Sequence, residues 1–259
     1  VPISGGDESA RLGRDFNTMA DQLQQQIEAQ KRLLNDVSHE LRSPLARLRV
    51  ALALAERDPE NAEAQLTRID HETERLDELI GQLLEMPDYD LELEDSIDLV
   101  GLLEELCADA HYEAQLQQKQ VVLSCEPAEA VQPTKGDLLK KALENVIRNA
   151  VHYTSEHSEV EVSLICLENT YQIRVCDQGI GAPEEMLEKL FEPFFRVDEA
   201  RTRETGGYGL GLSIARQAIL RHKGAIRAFN RTGYEAGLCI EIDLPFGDSV
   251  QSDLNATLA

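Results

Sequence analysis

His39 and Glu40 place an imidazole beside a carboxylate, with Ser43 and Pro44 just beyond, in the run Ser38-His39-Glu40-Leu41-Arg42-Ser43-Pro44. Neutral imidazole offers a free lone pair near pH 7, and a carboxylate accepting its other ring N–H fixes the tautomer and raises nucleophilicity. Spacing tells where the ring points. Leu34, Val37, Leu41, Leu45, Leu48 and Leu52 recur at three- and four-residue steps, a helical apolar stripe. At about 100° per residue the six share one arc, and His39 points roughly 150° from its centre, toward water. Ser43 follows one turn on, near the same face. Glu40 is only a sequence neighbour, and such neighbours do not face each other on a helix, so it serves His39 by bending back. Pro44 costs roughly 3 kcal/mol inside a helix, so a kink is expected beside His39. A lone His–Glu pair is more often solvated surface, and chemistry here requires a second site.

Four short runs in the second half could build one. Glu144-Asn145-Val146-Ile147-Arg148-Asn149-Ala150 sets Asn145 and Asn149 four apart on one helix face, where amide oxygens can take Mg²⁺ positions and amide nitrogens can donate to phosphate. Asp177-Gln178-Gly179-Ile180-Gly181 follows a strand pattern; a carboxylate there can accept the exocyclic amine of adenine, and the glycines admit a close ring. Glu192-Pro193-Phe194-Phe195-Arg196 pairs two aromatics, which alone would read as core. Gly206-Gly207-Tyr208-Gly209-Leu210-Gly211-Leu212 opens a helix, and a glycine-rich turn at a helix N-terminus presents N–H groups and a positive dipole to phosphate. A dinucleotide-binding reading fails on spacing, since the next glycine is Gly211 and Leu212 follows it, with no parallel βαβ unit evident. Each run is weak alone: two surface amides, a plain turn, a core aromatic pair.

Composition narrows the classes. A chain of 259 residues can hold two modest domains. With 25 basic against 48 acidic residues the net charge is −23, which repels nucleic acid. Cys107, Cys125, Cys166, Cys176 and Cys239 are odd in number and lack CxxC spacing, so buried thiols in a reducing cytosol are expected rather than zinc or disulfides. No run approaches about 18 apolar residues, and the chain begins with Val without a signal peptide, so a soluble fragment of something larger is expected.

The positioning elements follow from periodicity. Leu12, Phe16, Met19, Leu23 and Ile27 form a first stripe in a polar helix, with a stutter in its spacing. The His39 helix should run to about residue 56, turn at Arg57-Asp58-Pro59, and return through Leu66, Ile69, Thr73, Leu76, Ile80 and Leu83 to end at Pro87. A hairpin cannot cover both of its own stripes; a symmetric dimer forming a four-helix bundle would. Beyond residue 88 the expected elements are a helix over 97–118 capped by Asp98 or Ser96, a strand over 121–125 and a helix over 136–153. Strands over 160–164 and 171–176, a helix over 210–222, and strands over 225–230 and 238–244 complete them. That is an α+β sandwich with helices on one face of a mixed sheet, followed by an unpatterned tail.

Taken together and in order, these runs resemble the H-box of sensor histidine kinases and the four boxes of the GHKL ATP-binding fold, over roughly residues 7–245. Residues 7–19 also resemble the last helix of a HAMP module. The resemblance implies four parts: the end of a HAMP domain and signalling helix (1–30), a dimerising phosphotransfer hairpin (31–88), a catalytic ATP-binding domain (89–247) and a disordered tail (248–259). It implies ATP and Mg²⁺, a homodimer, a cytosolic response-regulator partner, no nucleic acid, and attachment to the inner membrane through a missing N-terminal region. His39 would be the phosphoacceptor, Glu40 its base, and Ser43 the hydroxyl that orients water for dephosphorylating the partner. Asn149 would hold Mg²⁺, with Asn145 and Glu144 near the phosphates. Asp177 would read adenine in a pocket shaped by Gly179 and Gly181. Gly207, Gly209 and Gly211 would cradle phosphate, with Tyr153, Arg196, Tyr208, Leu210 and Leu212 completing the nucleotide site and 197–206 its mobile lid. Two positions depart from the family: Tyr208 replaces a usual Thr, and His152 a usual Lys or Arg, which makes nucleotide affinity pH-dependent. A nucleotide-binding scaffold, a GHKL ATPase or serine kinase, and a coiled-coil adaptor are the rivals. The first would lack His39 or Asn149, the second would not need the His39 hairpin, and the third would not need the glycine run.

Overall fold

The computed structural model describes residues 8–58, 61–84, 95–135, 137–197, 208–231 and 236–246. They belong to two compact units, residues 1–78 and 79–259.

The N-terminal unit is helical. Helix α1, Glu8–Arg57, is a single 50-residue helix, so the expected first helix and the His39 helix are one element. It also runs unbroken through Pro44, which is buried. A proline removes one backbone bond and crowds one carbonyl, and the bonds on either side carry the helix across it. Asp58 N donates to Leu54 O at 3.0 Å, and Asn61 Nδ2 to Asp58 Oδ2 at 2.7 Å, closing the turn. Helix α2, Ala62–Leu84, then returns antiparallel, and Arg47 on α1 meets Glu72 on α2. The apolar stripes are not covered within one chain. Leu34, Leu45, Leu52, Leu66 and Ile80 are all exposed, as are Phe16, Met19, Leu23 and Ile27 toward the N-terminus. No described helix is long and apolar enough to cross a membrane.

The C-terminal unit is an α+β sandwich. Strand β1, Asp95–Asp98, is followed by helix α3, Leu99–Gln115, then strands β2, Gln120–Cys125, and β3, Val131–Thr134. Helix α4 spans Leu138–Tyr153, and strands β4, Glu159–Cys166, and β5, Thr170–Cys176, form the expected hairpin. Helix α5, Gly211–Arg221, and strands β6, Ala225–Asn230, and β7, Leu238–Pro245, complete it. The main sheet has the order β2-β4-β5-β7-β6, parallel at β2–β4 and antiparallel elsewhere.

Helix α3 starts at Leu99 rather than 97 because residues 95–98 pair with β3 in a two-stranded ribbon that the periodicity does not reveal. Asp98 caps it as expected, accepting from Val100 N and Gly101 N, and also takes Ala130 N at 3.0 Å. One core joins the three helices to one face of the sheet: Leu103, Leu139, Leu143, Ile147 and Ile219 meet Val162, Leu164, Ile173, Ile240 and Ile242. The other face is polar. There Glu241 is buried between Arg174 and Arg227, directly opposite each of them on the neighbouring strands.

Cys176 and Cys239 lie on that outer face and are disulfide-bonded, with Cα atoms 4.1 Å apart. This corrects the expectation of free buried thiols. The pair is 63 residues apart in sequence, and only the β5–β7 register brings the two opposite each other. Cys107 and Cys125 are free, and burial pushes the Cys107 thiol up to about 12. Gly136 and residues 247–259, expected as helix start and tail, lie outside the described residues.

Candidate active site

His39 is exposed on α1, as its position opposite the apolar stripe requires, and Glu40 is half-buried beside it. Ser43 is exposed one turn on and accepts a hydrogen bond from Arg47 Nη1 at 2.9 Å. Glu72 takes the same guanidinium through Nε at 2.7 Å and Nη2 at 2.9 Å, and that bond holds its carboxyl below the usual range.

In the C-terminal unit, Asp177 stands at the end of β5 and is 3% exposed. Its Oδ1 accepts from Gly179 N at 2.8 Å and Leu238 N at 3.1 Å. Burial pushes its carboxyl up, and those two N–H groups pull in the opposite direction. Oδ2 takes neither of these bonds.

The loop after Asp177 is fixed from three sides. Gln178 N donates to Thr154 Oγ1 at 3.0 Å, and Ser155 Oγ donates to Gln178 O at 2.8 Å, both just past α4. Asn230, ending β6, accepts from Ala182 N at 2.9 Å and donates to Ala182 O at 2.7 Å. A Cβ on Gly179 would stand 2.4 Å from Tyr153 O, so only glycine lets the loop close onto α4. Gly181 has φ +70° and backs onto Asn230, and a Cβ on Gly237 would stand 2.0 Å from Asp177 O. Thr154, Asn230 and Gly237 were not singled out in the sequence. Asn230 and Gly237 carry no local pattern, while Thr154 sits where a hydroxyl after a helix end is a usable signal.

Helix α4 presents Asn145 and Asn149 one turn apart, both half-buried. A Cβ on Gly211, the first residue of α5, would stand 3.0 Å from Asn145 Oδ1, so the amide run and the glycine run meet. Gly209, with φ +73°, packs on Phe194 and Phe195, and Phe194 N donates to Gly209 O at 2.9 Å, bringing the aromatic run to the same place. All four runs are therefore joined around the ends of α4 and α5. Leu210 and Leu212 turn into the interior and anchor this turn from behind. Glu144 faces Arg148 at 3.3 Å. Tyr208 is half-buried, while Gly207 and 198–206, the expected lid, lie outside the described residues.

Four further side chains gather at the end of α4. His152 and Tyr153 stand edge to face at 4.8 Å. His152 keeps a solvent-exposed edge, yet crowding of the ring, and then the charges of Lys119 and Arg196, hold its pKa below the usual value. Burial pushes the Tyr153 hydroxyl up, partly offset by Arg196. Lys119 was also missed in the sequence; it is buried and donates to Val151 O at 2.8 Å, closing the C-terminus of α4. Arg196 has Nε and Nη2 buried without a hydrogen-bond partner among the described residues. A cation left so is costly unless an anion arrives, so the cluster fits a phosphate-bearing ligand. The amide oxygens of Asn145 and Asn149 are hard donors that suit Mg²⁺ beside such a ligand.

Two family models match the chain. The His Kinase A phospho-acceptor domain matches residues 29–91, and the histidine kinase-, DNA gyrase B- and HSP90-like ATPase matches residues 134–248. The chain is 37% identical over 228 residues to the sensor histidine kinase CpxA of Escherichia coli K12, covering 87% of this chain and 49% of that protein. It is 30% identical over 261 residues to the sensor histidine kinase MtrB of Mycolicibacterium paratuberculosis, covering 95% and 46%. The chain thus spans about half the length of the curated relatives it matches. The crystal structure of histidine kinase ThkA in complex with response regulator protein TrrA shares the fold, with a TM-score of 0.70 at 22% identity over 86% of this chain and 64% of that one. With a phosphoacceptor module ahead of an ATPase module, the chain belongs to the sensor histidine kinases.

Proposed function

We propose that the chain is the cytoplasmic part of an inner-membrane sensor kinase, which phosphorylates His39 from ATP and passes the group to an aspartate of a cytosolic response regulator. The observation that carries the nucleotide half is the half-buried Arg196, whose Nε and Nη2 are buried with no hydrogen-bond partner among the described residues, beside the convergent glycine and amide runs. Family membership and the exposed imidazole on α1 support the acceptor half.

In this reading Oδ2 of Asp177 accepts the adenine amine, and Gly179 and Gly181 let the ring close on the loop. Asn145, His152, Tyr153 and Arg196 face the phosphates. So do Glu144 and the turn of Gly207, Tyr208, Gly209, Leu210, Gly211 and Leu212, mostly through backbone N–H groups at the start of α5. Asn149 would hold Mg²⁺, which when bound supplies neutralising charge. The chain's own contribution is positioning and electrostatics. An imidazole nitrogen of His39 forms a bond to the γ-phosphorus, the bond to the bridging oxygen breaks, and ADP leaves with that electron pair. Glu40 accepts the ring proton. The group then moves to the partner's aspartate, and Ser43 orients a water for the later hydrolysis of that aspartyl phosphate.

The exposed stripes on α1 and α2 support a homodimeric four-helix bundle, whose partner hairpin would cover them. Residues 1–30 are read as the end of a HAMP module and signalling helix, 31–88 as the phosphotransfer hairpin, 89–247 as the catalytic domain and 248–259 as a tail. Incubation with γ-³²P-labelled ATP tests the reading. An acid-labile, base-stable label that disappears in His39→Ala is expected, and a label that persists in that variant overturns it.

A further inference from the structure

Ser43 differs from the other hydroxyls of the hairpin. Ser38, Thr67 and Thr73 each donate back to the carbonyl four residues earlier, at 2.8, 3.0 and 2.9 Å. Such bonds tie a hydroxyl to its own helix. Ser43 Oγ instead accepts from Arg47 at 2.9 Å. Arg47 is itself clamped across the hairpin, because Glu72 on α2 grips it through both carboxylate oxygens. Glu72 is 5% exposed; Arg75 Nη1 also stands 3.8 Å from it, but Arg47 supplies its two short hydrogen bonds, so the clamp resists loosening.

The geometry points to Arg47, fixed by Glu72, as a positioning residue for the Ser43 hydroxyl. It therefore governs discharge of the partner's aspartyl phosphate separately from phosphorylation of His39. This rests on the reading that Ser43 orients the attacking water. A hydroxyl oxygen has two lone pairs and one hydrogen. Arg47 occupies one lone pair, which fixes the direction of the other, and that one accepts from the water. In the step itself the water oxygen bonds to phosphorus and the acyl P–O bond breaks. The aspartate leaves as carboxylate with the electron pair, and both water protons remain on the released dihydrogen phosphate. Arg47 touches no reacting atom and acts only through Ser43.

The test uses the full chain and, as probe, a response-regulator receiver domain that the wild-type chain has labelled from γ-³²P ATP, freed of nucleotide. Arg47→Met with Glu72→Leu removes both charges together and leaves no buried carboxylate alone; circular dichroism and gel filtration check fold and assembly. Discharge of the probe should slow about tenfold, the loss of one charge-assisted hydrogen bond, while labelling of His39 stays within about twofold of wild type. Adding Ser43→Ala to that variant should cost nothing further, since both changes remove one function. Equal losses in labelling and discharge, or losses that add with Ser43→Ala, would mean a merely structural clamp and overturn the proposal. If Ser43→Ala alone discharges the probe at the wild-type rate, the water-orienting reading fails first, and the inference goes with it.

Discussion

Asp177→Asn separates the adenine contact from the fold. Oδ1 of Asp177 holds two backbone donors, Gly179 N at 2.8 Å and Leu238 N at 3.1 Å, and an amide oxygen in its place keeps both. What changes is the other atom: an acceptor becomes an NH₂ donor, facing the donor amine of adenine. The variant loses a hydrogen bond to a charged group, worth about 1.5–3 kcal/mol, so ATP affinity should fall roughly 10- to 150-fold. Stability should not fall with it. Burial raises the Asp177 carboxyl above its unfolded value, so at pH 7 the charged form costs the folded state, and an uncharged amide relieves that cost. Inosine triphosphate supplies the internal control, because its O6 accepts where adenine donates. Titration calorimetry with both nucleotides should show the variant's preference for ATP reduced or inverted. An ATP affinity within about threefold of wild type, at unchanged melting temperature, would refute the assignment of Asp177.

Three further outcomes are expected. His152 has a lowered pKa, so it is mostly neutral at pH 7 and gains charge only as pH falls below 6.5; wild-type ATP affinity should therefore rise on acidification. His152→Lys should bind up to about tenfold tighter at pH 8, with that pH dependence flattened in a fluorescent-nucleotide titration. His222 is buried, with Nδ1–H donating to Ala218 O at 2.7 Å and Nε2 accepting from Thr134 Oγ1 at 3.1 Å. Its folded pKa is depressed, so below pH 6.5 the unfolded chain binds a proton that the native one resists. Urea unfolding should lose about 1.4 kcal/mol per pH unit there, and His222→Gln should lose less. Reducing the Cys176–Cys239 bridge, which closes a 63-residue separation, should lower stability by about 2–4 kcal/mol, read as a drop in the denaturant midpoint that Cys176→Ser no longer shows.

The sequence made the elements of this chain legible where apolar period and length agree. Helices α2, α4 and α5 and strands β4 to β7 lie within a few residues of their periodic runs, because each buries one regular face. The β1–β3 ribbon was not legible, since its two four-residue strands are too short to show a period and exist only through mutual pairing. Pro44 was read as a kink within a helix that continues to about residue 56, and α1 does continue through it to Arg57, because one missing bond does not stop a long helix. At the site, Asp177 and its two glycines were visible because a carboxylate followed by glycines after a strand is a local pattern. Asn230 and Gly237, which hold that loop from β6 and the approach to β7, are distant in sequence and become neighbours only when the sheet forms. The cysteine pair failed for the same reason: register, not spacing, makes the bridge.

The central claim is that a group leaves a nucleotide in the C-terminal unit and arrives on one nitrogen of His39. Mass spectrometry at alkaline pH tests it on a single tryptic peptide, Leu33–Arg42, which contains both Ser38 and His39. After incubation with ATP the phosphoryl group should lie on His39, and it should be missing from Asp177→Asn and Asn149→Ala at limiting ATP. Phosphate on Ser38, or on His39 at wild-type levels in both variants, would contradict the account.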